Sequence, residues 1–277
     1  MARNFTQVDV FSSTPLLGNP VAVVHDSEGL TTEQMQRFTD WTNLSEATFI
    51  GPATDPRADY AVRIFTQGSE LPFAGHPTLG TAHAWLAAGG RPKSDVIVQE
   101  CGIGLVSIRR DTWNDTLAFA APPRRRTGPL DEDSVARIAK GLGLRREDVI
   151  AHEWCDNGPP WQTLMLPWGE MVRSVVPDQE LLKGLFIGLV GPQKGDASYE
   201  VRAFFPGINV LLEDPVTGSL NAAIGQWLID SGRAPSSYVA AQGTMLGRAG
   251  RIYVNRIDED TWIGGHCVSV LDGTANI

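Results

Sequence analysis

The chain has 277 residues, 42% hydrophobic and 20% charged, enough for one large domain or two of ordinary size. Its formal net charge of −9, from 23 basic and 32 acidic side chains, argues against a nucleic-acid or anionic-membrane partner. No apolar run is long enough to span a bilayer, and the three cysteines, Cys101, Cys155 and Cys267, lack disulfide, metal or redox spacing, which points to a reducing cytoplasm.

The opening MARNFTQVDVF has no secretory apolar region and reads as a strand over 5–11, followed by a turn-rich loop and a second strand over 20–24. A helix is expected over 30–41, with Thr31 and Gln34 at capping-box spacing and Leu30 and Met35 placed for a hydrophobic staple. Asn43-Leu44-Ser45-Glu46 then enters a strand. Tyr60, Val62 and Ile64 alternate with Ala61, Arg63 and Phe65 in another, and residues 67–70 read as a loop. Short strands follow at 96–99, 103–108 and 117–120. Pro122-Pro123-Arg124-Arg125-Arg126-Thr127-Gly128-Pro129 combines proline, glycine and like charges, as linkers do. Beyond it the pattern predicts helices over 131–142 and 179–186. Strands are predicted at 149–150, 162–166, 187–190, 199–205, 238–242 and 251–257, with a hairpin turn at 257–261.

Two stretches dominate this pattern. Residues 71–86 read LPFAGHPTLGTAHAWL: a tight turn at Gly75-His76-Pro77 opens a helix of small and apolar residues that Gly89-Gly90 stops. Residues 213–228 read EDPVTGSLNAAIGQWL, where Gly218-Ser219 takes the place of Gly75-His76. Val62-Arg63-Ile64-Phe65 precedes the first and Val201-Arg202-Ala203-Phe204 the second, and residues 18–23 have a looser echo in 160–165. Several such pairs in one order indicate a duplicated domain. Helices this rich in small residues suit enclosure by a strongly curled sheet. Their free N–H groups form anion-attracting ends, each with a polar side chain, His76 or Ser219. If the halves are related by a pseudo-two-fold axis, both ends can face a crevice at their seam.

Four blocks, DVFSSTPLLGNPVAVV, NLSEATFI, ELPFAGHPTLG and EDPVTGSLNAAIGQWL, together resemble the PhzF-like family, named for the phenazine-biosynthesis isomerase, which shares its fold with diaminopimelate epimerase. The similarity runs from Phe5 to the final strand. It implies an α/β (α+β) fold of two pseudo-symmetric halves, each a curved, mostly antiparallel sheet around a central helix. The expected halves are residues 1–121, joined by the final strand 266–277, and residues 130–265, with 122–129 as linker. The resemblance also implies an active site at the seam, a cofactor-free isomerase and a homodimer.

The family's acid–base glutamate corresponds here to Glu46, and its substrate neighbours to Asn19, Ser45, Gly75, His76, Asp214, Gly218 and Ser219. Catalysis is thereby expected of Glu46, His76 and Asp214, and substrate binding of Asn19, Ser45, Gly75, Gly218 and Ser219. A proton shift needs a base near a carbon acid, and an apolar setting such as Leu44 and Phe49-Ile50 can raise a glutamate toward working pH. The expected reaction is an isomerisation of a small carboxylate-bearing metabolite, of the trans-2,3-dihydro-3-hydroxyanthranilate type, with no metal, nucleic acid or membrane involved. Two alternatives stand beside it. One is a racemase or epimerase, but the relatives of that class carry a cysteine at each helix start, where this chain has His76 and Ser219. The other is a non-catalytic interaction protein on the same fold. Arg63 and Arg202 are expected to pair with carboxylates inside each half. His25, His83, His152 and His266 show no metal-ligand spacing.

Overall fold

The computed structural model describes residues 2–111, 114–207 and 210–277. The chain divides into two compact units, one formed by Met1–Ala120 with Gly264–Ile277 and the other by Ala121–Ile263. No helix among the described residues is long and apolar enough to cross a membrane.

The first unit contains β1 (Ala2–Val10), β2 (Asn19–Val24), α1 (Thr32–Thr42), β3 (Glu46–Gly51), β4 (Tyr60–Thr66), β5 (Ser69–Leu71), α2 (Gly75–Ala87), β6 (Val96–Cys101), β7 (Gly104–Asp111) and β8 (Thr116–Ala120). The last strand of the chain, Cys267–Asn276, pairs antiparallel with β1 along its whole length. From β1 the sheet continues antiparallel to β2, parallel to β3 and antiparallel to β4. β4 takes β5 antiparallel and β6 parallel, and β7 and β8 complete the sheet as antiparallel neighbours. The sheet curls around α2, which touches β1, β2, β3, β6, β8 and the last strand. Enclosure on that scale explains the helix's composition. A Cβ on Gly80 would lie 2.3 Å from Val21 Cγ1 and 3.1 Å from Val10 Cγ2. α1 covers the outer face. Thr31 and Gln34 form its capping box, and Phe38 stands edge-on to Phe5 and Phe49, with Phe49 in turn edge-on to Phe65.

The second unit opens with α3 (Glu132–Gly141), capped by Asp131, and then follows the same plan. It contains β9 (Ala151–Asp156), β10 (Pro160–Met165), α4 (Gly169–Ser174), β11 (Ile187–Pro192), β12 (Tyr199–Pro206), β13 (Leu211–Asp214), α5 (Gly218–Asp230), β14 (Ser237–Gln242), β15 (Gly250–Ile257) and most of β16 (Asp260–Gly265), whose last two residues belong to the first unit. β9 and β10 are antiparallel, β10 and β11 parallel, and β11 and β12 antiparallel. β12 takes β13 antiparallel and β14 parallel, and β15 lies antiparallel to β14. These pairings repeat, strand for strand, those of β1 to β7. Both central helices are 13 residues long. Side chains repeat too. Arg63 forms a two-pronged pair with Glu70 (2.6 and 2.7 Å) and lies over Phe65, while Arg202 pairs with Glu213 (both contacts 2.8 Å) and lies over Phe204. Arg202 is the more buried, and its third nitrogen donates to the carbonyls of Val172, Arg173 and Val175.

Four sequence expectations need correction. Residues 179–186 are not a helix: Asp178 Oδ1 accepts from the backbone of Glu180 and Leu181, and Gly184, at φ 79°, turns the chain away. α4 was not anticipated, because six residues give no readable period. Residues 69–71 form a strand rather than a loop, drawn onto β4 by the Arg63–Glu70 pair. Val149-Ile150 lies ahead of its strand, because Val149 closes the 3₁₀ turn Arg146–Asp148.

Filling the space at Gly80 tests the enclosure of α2. Gly80→Ala should lower unfolding free energy by about 1–3 kcal/mol in urea, the usual cost of overpacking a stiff core, and adding Val21→Ala should recover part of that loss.

Candidate active site

In the first unit the site begins with an unusually close approach of chain to chain. A Cβ on Gly18 would lie 2.2 Å from the Val10 carbonyl oxygen, and the Gly18 N–H donates to Asp9 Oδ2 at 2.8 Å. β2 therefore starts flush against β1, with Asn19 fully buried and paired with Val10. The next residue, Pro20, has no N–H, so its backbone can only accept, and its carbonyl hydrogen-bonds the His76 ring. β2 also aligns β3 in parallel register, Ala22 beside Ala47, which puts Glu46 at the head of β3. Glu46 Oε2 and His76 Nε2 stand 3.3 Å apart, with side chains 17% and 7% exposed.

Burial lowers His76 to about 3, against the smaller, opposing effect of the bond to Pro20, so the imidazole is neutral at physiological pH. With Nε2 facing Glu46, the ring hydrogen is assigned to Nδ1, toward Pro20. Nε2 then presents a lone pair toward Glu46 Oε2. Ser45 lies directly before Glu46, and its carbonyl accepts from Thr66 Oγ1 at 2.9 Å. The start of α2 is capped by no side chain; its N-cap residue is Ala74.

In the second unit α5 begins at Gly218-Ser219. Ser219 Oγ accepts from the indole N–H of Trp161 at 3.1 Å, and its carbonyl accepts from Asn157 Nδ2 at 2.9 Å. Trp161 is held edge-on to Phe186, ring centroids 5.3 Å apart. Because Trp161 occupies one lone pair, the Ser219 hydroxyl hydrogen is left to donate elsewhere. Asp214 ends β13, and its Oδ2 accepts from Thr217 Oγ1 at 2.6 Å. The second residue of the second strand thus orients the second residue of the central helix in both units. Pro20 does so for His76 as an acceptor, and Trp161 for Ser219 as a donor.

The structure brings Glu46 and His76 into contact; Ser45 and Gly75 adjoin them in the chain, and Asn19 adjoins Pro20, which holds the His76 ring. Asp214, Gly218 and Ser219 group in the second unit, around the start of α5. Pro20, Trp161, Asn157, Thr217 and Gln242 escaped the sequence reading. The strands set Pro20 against Trp161, each the second residue of its strand, whereas the sequence echo between residues 18–23 and 160–165 is one position out and sets Pro20 against Gln162. The thiols are not poised as bases: burial pushes Cys101 and Cys267 up, and Cys155 to about 12.

The neutral His76 makes a pH prediction. Its native value, about 3, lies below its unfolded value of 6.5, so on acidification the unfolded chain takes up this proton first. Stability attributable to His76 should therefore be intact above pH 6.5 and decline as pH falls from there toward 3. Urea denaturation at pH 7 and pH 5 should show a smaller drop for His76→Gln than for the parent chain, and ¹⁵N NMR should show a neutral ring protonated at Nδ1 at both.

A family model described as phenazine biosynthesis-like protein, PhzC-PhzF, matches residues 8–273. Antisense-enhancing sequence 1 of Schizosaccharomyces pombe is 34% identical, over 99% of this chain and 99% of the relative. Trans-2,3-dihydro-3-hydroxyanthranilate isomerase of Pseudomonas fluorescens is also 34% identical, over 78% of this chain and 76% of that enzyme. The crystal structure of a PhzF-family phenazine biosynthesis protein from Enterococcus faecalis superimposes with a TM-score of 0.81, at 23% identity and full coverage of both chains. The curled sheet wrapped around a small-residue helix, built twice, is that fold, and the chain is an isomerase belonging to the PhzC-PhzF, phenazine biosynthesis-like, family.

Proposed function

We propose that the protein is a cofactor-independent isomerase that moves one proton between two carbons of a small carboxylate-bearing metabolite, with Glu46 as the single acid–base group. The observation that carries this reading is the contact between Glu46 and a neutral His76 whose other ring nitrogen is tied to Pro20. In the first step the Glu46 carboxylate takes a proton from carbon. The C–H bond breaks, an O–H bond forms, and the electron pair delocalises into the substrate. His76 Nε2 accepts a hydrogen bond from the new carboxylic acid and keeps it oriented. In the second step Glu46 returns the proton to a different carbon and is again a carboxylate. Asp214 is assigned to orient the substrate through hydrogen bonds.

The substrate carboxylate is assigned to the start of α5. The positive end of the helix dipole there favours an anion, and the Ser219 hydroxyl, already accepting from Trp161, has its hydrogen to give. Gly75, Gly218, Asn19 and Ser45 are assigned to substrate binding on the family resemblance. Trans-2,3-dihydro-3-hydroxyanthranilate is the proposed substrate, because three relatives 31–34% identical are named for its isomerisation. A homodimer in the cytoplasm is proposed on the family resemblance. The racemase alternative gains nothing from the thiols, which burial keeps protonated.

Two measurements test this. Glu46→Gln should reduce turnover of trans-2,3-dihydro-3-hydroxyanthranilate by about 10²–10⁴-fold, the usual contribution of a positioned acid–base group, with KM little changed. In deuterated water part of the transferred hydrogen should remain protium, because one carboxyl carries it; full activity of Glu46→Gln would end the reading. Trp161→Phe keeps the ring packing and removes only the indole N–H. It should raise KM about 3–10-fold, as expected for one misdirected hydrogen bond to a charged group, with a smaller effect on kcat.

A further inference from the structure

The start of α5 is wired to a buried amide that the functional reading does not yet use. Gln242, the last residue of β14, is 1% exposed and has all four hydrogen-bonding positions filled. Its Nε2 donates to Thr217 Oγ1 at 2.9 Å and to the Asp214 carbonyl at 3.1 Å. Its Oε1 accepts from the Thr217 N–H at 3.0 Å and from Asn221 Nδ2 at 2.7 Å. Asn221, also 1% exposed, spends its amide on the Thr217 carbonyl as well, at 2.9 Å. Turning the Gln242 amide over would oppose donor to donor at the Thr217 N–H and at Asn221, and acceptor to acceptor at the Asp214 carbonyl. Only one orientation is consistent with its neighbours.

That orientation has a consequence one bond further on. Thr217 Oγ1 accepts from Gln242, so its single hydrogen is directed to the other neighbour, Asp214 Oδ2, at 2.6 Å. The fold does not require this wiring. At the corresponding places in the first unit stand Leu71 for Asp214, Ala74 for Thr217 and Cys101 for Gln242. The same strand pairings and a 13-residue central helix form there without it.

We propose that Gln242 is a positioning residue for the reaction: through Thr217 it fixes which way the hydroxyl hydrogen points, and so holds Asp214 as an oriented, hydrogen-bond-accepting side chain at the start of α5. This rests on the role given to Asp214 above. No covalent step is added; the network sets only the direction of a hydrogen bond.

The test has one arm that needs no turnover and one that does. Neutron diffraction from perdeuterated crystals should show the Thr217 deuteron on the line to Asp214 Oδ2 and both Gln242 amide deuterons on Thr217 Oγ1 and the Asp214 carbonyl. A deuteron carried by Asp214, or a Thr217 hydroxyl aimed elsewhere, overturns the proposal. In kinetics with trans-2,3-dihydro-3-hydroxyanthranilate, Thr217→Ser, which keeps the hydroxyl, should stay within about twofold of the parent kcat, whereas Thr217→Val and Gln242→Met should lose about 10–100-fold in kcat with little change in KM, the range for a lost hydrogen bond to a charged group. A Thr217→Val enzyme as active as the parent, or a Thr217→Ser enzyme as impaired as Thr217→Val, overturns it. Thr217→Val decides the matter should Gln242→Met not fold. A parent chain inactive on that compound counts against the proposed substrate alone, because the neutron map still decides the direction of the Thr217 hydroxyl.

Discussion

The close fit of a small-residue helix inside its own sheet is the constraint on which the rest of each unit depends. A sheet curled tightly enough to surround α2 leaves no volume for a side chain at Gly80. In the second unit the fit is repeated by Gly225 against Val254 and by Gly188 against Leu220, with clearances below 3 Å for an added Cβ. Interiors this dense resist sliding, so the axial position of each helix is set by packing rather than by its ends. The helix starts, which have no side-chain caps, are thereby free to be used for something other than holding the helix in place.

What the two starts offer is alike in backbone and opposite in hydrogen-bond polarity. The bond from the Pro20 carbonyl takes up the donor of His76 and leaves an acceptor at Nε2. The bond from the Trp161 indole takes up an acceptor of Ser219 and leaves a donor at Oγ. A duplicated scaffold has thus become chemically asymmetric through one substitution in each strand–helix pair. The first start suits a group that gives up a proton, and the second suits a group that carries negative charge.

Much of this architecture was legible in the sequence because it is written in local signals. The paired Gly-His and Gly-Ser helix starts, the Thr31–Gln34 capping box and the Arg63 and Arg202 echoes all lie within a few residues of the elements they define. Glu46 was harder, and its role came from the family resemblance rather than from its surroundings. Its partner His76 is 30 positions away, joined only through the register of β2 and β3. Thr217 and Gln242 were invisible for the same reason: a hydroxyl and an amide 25 positions apart give no pattern until β14 is paired beside β12. The misread stretch at 179–186 shows the converse, a helix-like composition overruled by Asp178 and Gly184, whose turn chemistry is stronger than the weak periodicity around them.

The strand Cys267–Asn276 also dictates the order in which this chain can become compact. Its register with β1 runs from Ala2 opposite Asn276 to Val10 opposite Cys267, so β1 waits for a strand far downstream before that edge is covered. The pairings among β9 to β15, by contrast, all come from the uninterrupted stretch 151–257, which can close while the ribosome is still at work on the remainder. Pairings this distant in sequence are slow to form, since a long loop must be closed before any contact rewards it. During that interval Val8 and Val10 sit on an open strand edge, the kind of surface that invites pairing with another chain. The nascent chain therefore carries this open edge through the synthesis of everything between the two strands, until the ten residues Cys267–Asn276 emerge to cover it.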